Sequence, residues 1–173
     1  MKKILFSAGL VVLYILYTKR KKMPTATPTK NKSEFINLIT PSAIEIEKKI
    51  GVPYKFIIAQ ICLETNFGKS SLTKNYYNFG GIKAVKGQPF VSLLTTECIK
   101  GVCSKVYQNF AIFNSVIDGL TAQAKIYQNK YFKKYLNKTT DPLKYAQLIQ
   151  SGQPKYATDP NYVSKIEKIL KTL

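Results

Sequence analysis

Residues 53–70, PYKFIIAQICLETNFGKS, predict a helix that is apolar almost throughout and around which a domain can form its core. Pro53 is typical of the first position of a helix, and the helix is expected to end near Gly68. Its apolar residues predict burial on most sides; they include Phe56, Ile57, Ile61 and Leu63. Glu64 therefore lies at the end of a buried helix, a position that is unusual because carboxylates are seldom buried unless they are paired.

Around this helix the sequence predicts a mainly helical α+β domain, residues 33–173, with one inserted β-hairpin. A short helix is expected from Ser33, and a second one from Thr40-Pro41 to Gly51. The segment 75–87 is dense in Gly, Asn and Lys and predicts a loop. Later helices are expected to begin after three further signals, which are Asn114 or Ser115, Asp141-Pro142 and Asp159-Pro160.

Residues 90–110 favour the hairpin, because Val, Thr, Leu and Tyr prevail and Lys100-Gly101 interrupts them. If these two residues form the turn, Cys98 faces Cys103 at a distance that a disulfide bridges. A turn slipped by one residue would separate the two sulfurs. Such a bond would indicate an oxidising compartment. Cys62, in the apolar helix, is expected to be a small core residue.

Residues 4–17 are almost wholly apolar and have basic residues on both sides. The run is longer than most signal-peptide cores and shorter than the ~20 residues of a full membrane span. No small-residue cleavage site follows it, so we expect residues 1–22 to be a membrane anchor or an uncleaved signal-like helix. Removal of this segment and a buried helix of the fold are the alternatives. Residues 23–32 are rich in Pro, Thr and Lys and predict a linker.

The composition excludes several kinds of chemistry. Without His, the chain cannot form a Ser-His-Asp triad or a His-ligated zinc site, and three Cys cannot supply four thiolates. We expect no metal and no cofactor. The net charge is +18, and residues 33–173 alone hold 19 basic and 9 acidic residues. This favours an anionic partner, but no nucleic-acid-binding motif is present and nucleic acid is not expected. The sequence does not indicate an oligomeric state.

Two of the nine acidic residues are candidates for catalysis. Glu64 is expected to be partly desolvated, which raises a carboxyl pKa and suits a general acid; pairing with Lys69 is the alternative. Glu97 lies on the predicted hairpin, on the same face as Thr95, and is otherwise an ordinary exposed strand residue. Two carboxylates that face each other across a cleft are what a glycosidase uses.

Three motifs occur in order, namely AQICLETNFGKS (59–70), NFGGIKA (78–84) and YATDPNYVSKI (156–166). Together they make residues 33–173 similar to the glucosaminidase domain of glycoside hydrolase family 73. This family includes bacterial autolysins and the flagellar peptidoglycan hydrolase. The resemblance implies a lysozyme-like fold and hydrolysis of the β-1,4 bond after N-acetylglucosamine in the glycan strands of peptidoglycan.

The resemblance also implies roles for particular residues. Glu64 matches the general acid, Glu97 the more variable second carboxylate, and Tyr156 an aromatic hydroxyl near the cleft. Asn78, Phe79 and Gly80 match the loop that lines the sugar site. Tyr107, on the hairpin, is a further candidate for stacking on a sugar, whereas Asp159 is expected to cap the last helix. The chain departs from the family at Phe67, where Trp is frequent.

Two other functions stay open on the same fold. Lytic transglycosylation needs one acid and no group that activates water, and a wall-binding or assembly module needs neither. In each case, we expect a membrane-anchored protein whose residues 4–17 contact the membrane and whose domain faces the cell wall. That position is periplasmic, extracellular or virion-associated.

Overall fold

The computed structural model describes residues 31–99 and 102–173, which form a mainly helical α+β fold, as predicted. The predicted anchor (1–22) and nearly all of the predicted linker (23–32) lie outside these residues. Across the described ranges, no helix has the length and apolar character that crossing a membrane requires. The elements are α1 (Lys32–Ile50), α2 (Tyr54–Thr65), α3 (Ser71–Tyr76), β1 (Phe90–Ile99), β2 (Val102–Ala111), α4 (Val116–Ala124), α5 (Pro142–Ser151) and α6 (Tyr162–Leu170), with two 3₁₀ turns at Lys125–Gln128 and Lys133–Tyr135.

Helix α2 is the buried helix that the sequence predicts, and it contacts α1, α5 and α6. Seven consecutive residues from Phe56 to Cys62 are each at most 2% exposed, and Cys62 is a free thiol in the core. The helix ends at Thr65, earlier than Gly68, because Asn66 and Phe67 adopt positive φ angles of 49° and 55°. The backbone N–H of Asn66 caps the helix by donating to carbonyl oxygens of its last turn.

The prediction of two separate helices before Gly51 is wrong. The chain forms one helix, α1, where two were expected, and Pro41 lies inside it. The Asn31 side chain caps this helix by accepting from Glu34 N–H at 2.9 Å. A continuous buried stripe stabilises the helix across Pro41 and outweighs the hydrogen bond that proline removes; its members are Phe35, Ile39, Ala43 and Ile46.

The hairpin has the predicted register, with Ile99 opposite Val102 and Cys98 opposite Cys103. The two intervening residues, 100 and 101, lie outside the described ranges. Cys103 is disulfide-bonded, and the Cys98–Cys103 pairing that the register favours stays a prediction. At its base the hairpin is tied to the rest of the domain, because Ala111 N–H donates to the Ile82 carbonyl at 2.9 Å.

Two of the three predicted starts of the later helices are confirmed, and the third helix begins later than predicted. Ser115 caps α4, and Asp141 caps α5 with Pro142 at its start, both as predicted. Helix α6 begins later than the expected signal, because Asp159 instead accepts from Asn161 N–H and forms the turn before it. The predicted loop 75–87 begins inside α3, a six-residue helix whose cap is Ser70.

Gly119 lets α4 pack against the loop that follows α3. A Cβ at this position would lie 1.9 Å from the Tyr77 carbonyl oxygen and 3.0 Å from the Phe79 ring. We expect Gly119→Ala to lower the free energy of unfolding by about 1–3 kcal/mol through overpacking, although Ala favours helices over Gly by about 1 kcal/mol. Urea denaturation measures the change.

Thr121→Ala is the matched control, because Thr121 lies on the same helix and is exposed. Its unfolding free energy should stay within about 0.5 kcal/mol of the parent. A Gly119→Ala protein as stable as this control would contradict the close approach of helix and loop.

Candidate active site

Glu64 lies in the last turn of α2, where two cavities meet. The larger cavity, about 560 Å³, extends toward α6, and the smaller one, about 250 Å³, extends toward α3. Glu64 and Gly80 line both cavities. The two cavities together are called the groove, and Glu64 borders both of them.

Six parts of the chain line the larger cavity. They are helix α2, Gly80, helix α4, the 3₁₀ turn at Lys125–Gln128, the segment 156–159 and helix α6. The polar side chains that line it are Gln60, Glu64, Gln123, Tyr156, Thr158, Asp159, Tyr162 and Lys165. The larger cavity is thus rich in hydrogen-bonding groups.

The environment of Glu64 favours its protonated form. Its side chain is exposed, yet the surrounding protein desolvates the carboxyl enough to raise its pKa above the ordinary 4.5. The Gln60 side chain acts in the opposite direction and lowers the pKa. Among the described residues, Glu64 forms no ion pair with Lys69, the alternative that the sequence left open. On the wall of the larger cavity, Asp159 and Lys165 form an ion pair with Oδ2 and Nζ 2.6 Å apart.

Tyr156 lies beside Glu64 in the same cavity. Its ring stacks on Tyr127 with centroids 6.0 Å apart and meets Phe132 edge-on at 5.4 Å. Its hydroxyl oxygen accepts a hydrogen bond from Gln60 Nε2 at 2.9 Å. Burial raises the pKa of Tyr156 far above its usual 10, so the hydroxyl keeps its proton at neutral pH.

Gln60 is a component of the site that the sequence analysis missed. It is only 1% exposed, and its Oε1 accepts from the Tyr127 hydroxyl at 3.0 Å. A signal was present, because a Gln inside an otherwise apolar buried helix must find hydrogen-bond partners. The spacing of four residues also places Gln60 one turn before Glu64, on the same face of α2.

Asn78 forms the loop that lines the smaller cavity. Its Nδ2 donates to the carbonyl oxygens of Ile82 and Ala111, both at 2.9 Å, and its Oδ1 accepts from Ile82 N–H at 2.9 Å. The amide is thus used for joining the loop to the hairpin base, and Asn78 is 1% exposed. Contact between Asn78 and a sugar stays a prediction.

The two residues after Asn78 differ in their surroundings. Phe79 is 2% exposed and packs against Phe35, with ring centroids 6.4 Å apart, so it is part of the core. Gly80 lies at the groove, and a Cβ there would meet Gln123 Oε1 at 1.7 Å. The absence of a side chain at Gly80 thus leaves room for the end of the Gln123 side chain, which also lines the larger cavity.

The structure does not place the hairpin candidates in the groove. The Glu97 backbone pairs with Ser104 in the sheet, but its side chain lies outside what the structure describes, so its role stays a prediction. Tyr107 is 73% exposed opposite Leu94 on the hairpin and lines neither cavity. Phe67 lines a separate cavity beside Lys32, whose ammonium lies 4.4 Å from the ring centroid.

Residues 40–173 match the sequence model of the Glucosaminidase family, described as mannosyl-glycoprotein endo-β-N-acetylglucosaminidase. The chain belongs to this family and carries a glycosidase domain, as its motifs predicted. No group of three or more His, Cys, Asp or Glu side chains suited to a metal ion occurs in the described part of the chain.

Relatives and solved structures agree with this assignment. The chain is 28% identical over 150 residues to the peptidoglycan hydrolase FlgJ of Salmonella typhimurium, covering 83% of this chain and 46% of FlgJ. It is 25% identical to the exo-glucosaminidase LytG of Bacillus subtilis, covering 96% of this chain and 61% of LytG. The aligned region thus spans about half the length of these relatives.

Among solved structures, the catalytic domain of the autolysin Auto from Listeria monocytogenes superposes with a TM-score of 0.74 at 26% identity, covering 98% of this chain and 96% of that one. The glycoside hydrolase domain of Salmonella typhimurium FlgJ superposes with a TM-score of 0.67 at 26% identity, covering 83% and 97%. The expected lysozyme-like fold is thereby confirmed for the described residues.

The contacts of Asn78 lead to a prediction about stability. Asn78→Asp keeps the acceptor for Ile82 N–H but replaces the two donated bonds by a buried carboxylate facing carbonyl oxygens. We expect the free energy of unfolding to fall by at least about 2 kcal/mol at neutral pH, measured by chemical denaturation.

Asn109→Asp makes the same chemical change at an exposed position of β2. It should alter the unfolding free energy by less than about 0.5 kcal/mol. Equal stability of the two variants would show that the Asn78 amide does not hold the loop.

Proposed function

We propose that this chain hydrolyses the β-1,4 glycosidic bond after N-acetylglucosamine in peptidoglycan glycan strands, with Glu64 as the general acid. The observation that carries the proposal is the position of Glu64 at the junction of two cavities. Membership of the glucosaminidase family supports the reaction class. The relatives named peptidoglycan hydrolase and exo-glucosaminidase support the substrate and the bond.

In the proposed reaction, the glycan lies along the groove and its scissile oxygen accepts a proton from the Glu64 carboxyl. The bond between this oxygen and the anomeric carbon breaks, and positive charge develops on the sugar. Water then adds its oxygen to the anomeric carbon and loses a proton. We assign Glu97 as the carboxylate that takes this proton or stabilises the charged sugar.

Tyr156 is proposed to contact the substrate from the wall of the larger cavity. A hydroxyl that stays protonated donates a hydrogen bond to a sugar oxygen or to the attacking water. Gly80, which lines both cavities, would border the glycan, and Asn78 and Phe79 would hold this loop in place. Tyr107 would stack on a sugar ring only if the bound glycan extends as far as the exposed Tyr107 side chain on the hairpin.

We further propose that the domain acts outside the cytoplasm, anchored to the membrane through residues 4–17. The disulfide at Cys103 supports an oxidising compartment, and we infer that Cys98 is its partner. The basic domain would hold the enzyme on an anionic wall or membrane surface.

Removal of the acid tests the proposed reaction. We expect Glu64→Gln to lower the rate of sugar release from purified peptidoglycan by about 10²–10⁴-fold, because the amide cannot donate the proton. Glu45→Gln, which changes an exposed carboxyl on α1, should leave the rate unchanged. Equal rates for Glu64→Gln and the parent would refute the assignment.

The products distinguish hydrolysis from lytic transglycosylation. Hydrolysis leaves reducing ends that borohydride converts to alditols, and mass spectrometry should find N-acetylglucosaminitol at these ends. Products with 1,6-anhydro ends would show transglycosylation instead. Binding to the wall without any sugar release would show a binding module.

The pH profile provides a further prediction. A general acid must be protonated, so activity falls as pH rises through its pKa. Because desolvation raises the pKa of Glu64, the descending limb of kcat/KM should lie above pH 4.5, and activity should persist where an ordinary carboxyl is ionised. A descending limb centred at or below 4.5 would contradict a desolvated acid.

A further inference from the structure

The side-chain amide of Gln60 connects the core of the domain to the groove. It is 1% exposed and hydrogen-bonds to the hydroxyls of Tyr127 and Tyr156. The carboxyl of Glu64 lines the same cavity, and the amide lowers its pKa. A primary amide offers an acceptor on oxygen and two donors on nitrogen. The partners on each side therefore determine which way the amide faces.

Tyr127 fixes the inner end of the amide. This tyrosine is 1% exposed, and its hydroxyl donates to Gln60 Oε1 at 3.0 Å. Nε2 then faces the groove, where it donates to the Tyr156 oxygen at 2.9 Å. An amide nitrogen that faces the groove can also donate to Glu64 in either protonation state, because a carboxylate and a protonated carboxyl both have an acceptor oxygen. The contacts on both sides thus favour the same orientation.

This orientation determines what the Tyr156 hydroxyl does. Because its oxygen accepts from Gln60, its proton remains available for a group in the groove. The ring cannot easily turn away, since Tyr127 stacks on one side and Phe132 and Tyr162 each lie 5.4 Å away between centroids. Tyr156 is therefore oriented as a donor before any substrate binds.

We propose that Tyr127 and Gln60 form a positioning relay, in which hydrogen bonds run from Tyr127 to Gln60 to Tyr156 and orient Tyr156 and Glu64 toward the glycan. Neither relay residue takes or gives a proton in the reaction. The inference deepens the proposed function and rests on it, because it assigns which residues outside the reacting groups keep the site in its productive geometry.

The relay predicts a change in the titration of Glu64. The titratable groups that share its cavity are Tyr156, Tyr162, Asp159 and Lys165, and the last two form an ion pair with each other. Gln60 is thus the neutral neighbour whose loss should change the pKa of Glu64. Without its donors the carboxylate is less stable, so the pKa should rise and the descending limb of kcat/KM should move to higher pH.

The experiment compares three substitutions in the 173-residue chain. Gln60→Met keeps the length of the side chain but removes all its hydrogen bonds. Tyr127→Phe removes only the inner hydroxyl. Tyr145→Phe is the matched control, because Tyr145 belongs to the same ring cluster and its buried hydroxyl has no hydrogen-bond partner among the described residues.

We expect Gln60→Met to lower kcat by about 10–100-fold with little change in KM, since positioning rather than binding is lost. Its Glu64 pKa, followed by carboxyl-carbon NMR, should rise. Tyr127→Phe should lower kcat by less, and Tyr145→Phe should match the parent in kcat and pH profile. If circular dichroism shows that Gln60→Met does not fold, the comparison of kcat and pH profile between Tyr127→Phe and Tyr145→Phe tests the relay.

Two results would overturn the relay. One is a folded Gln60→Met with parental kcat and an unchanged Glu64 pKa, and the other is an equal loss in Tyr127→Phe and Tyr145→Phe. Failure of the proposed function is distinguishable from both, because it would leave the parent itself without sugar release. The NMR titration of Glu64 would still test the relay in that case.

Discussion

Burial of α2 on nearly every side is the constraint on which the site depends. The helix contacts α1, α5 and α6 and is nearly inaccessible to solvent from Phe56 to Cys62, so it cannot shift or rotate without disrupting the core. The left-handed residues Asn66 and Phe67 then end it abruptly. Together, these features place Glu64 where the packed core meets the groove, which explains how an exposed side chain is partly desolvated.

Two buried side-chain amides connect the packed core to the walls of the groove through hydrogen bonds. Gln60 connects the core tyrosine Tyr127 to the groove tyrosine Tyr156, and Asn78 connects the loop beside Glu64 to the base of the hairpin. Buried amides are costly unless all their groups are bonded. Each one therefore selects a single arrangement of the backbone and side chains around it.

The sequence predicted the features that depend on neighbouring residues. The apolar run of α2, the cap at Asp141-Pro142 and the register around residues 98–103 are local signals, and the structure has them all. Local signals do not predict that helix α1 continues across Pro41. The burial of its apolar residues in the core stabilises the helix more than the proline destabilises it. For the candidate site, the motifs singled out Glu64 and Tyr156, which line the same cavity. The link through Gln60 was missed, because it depends on Tyr127, 67 positions further along the chain.

A crystal structure of Glu64→Gln with a bound fragment of a peptidoglycan glycan strand shows directly whether Glu64 can protonate the glycosidic oxygen. We expect sugars in the groove on both sides of residue 64, with the glycosidic oxygen about 2.6–3.2 Å from the Gln side chain. The Tyr156 hydroxyl should contact the same sugar pair or its water. A fragment bound only beside Tyr107 or in the cavity at Phe67, out of reach of residue 64, would refute Glu64 as the proton donor.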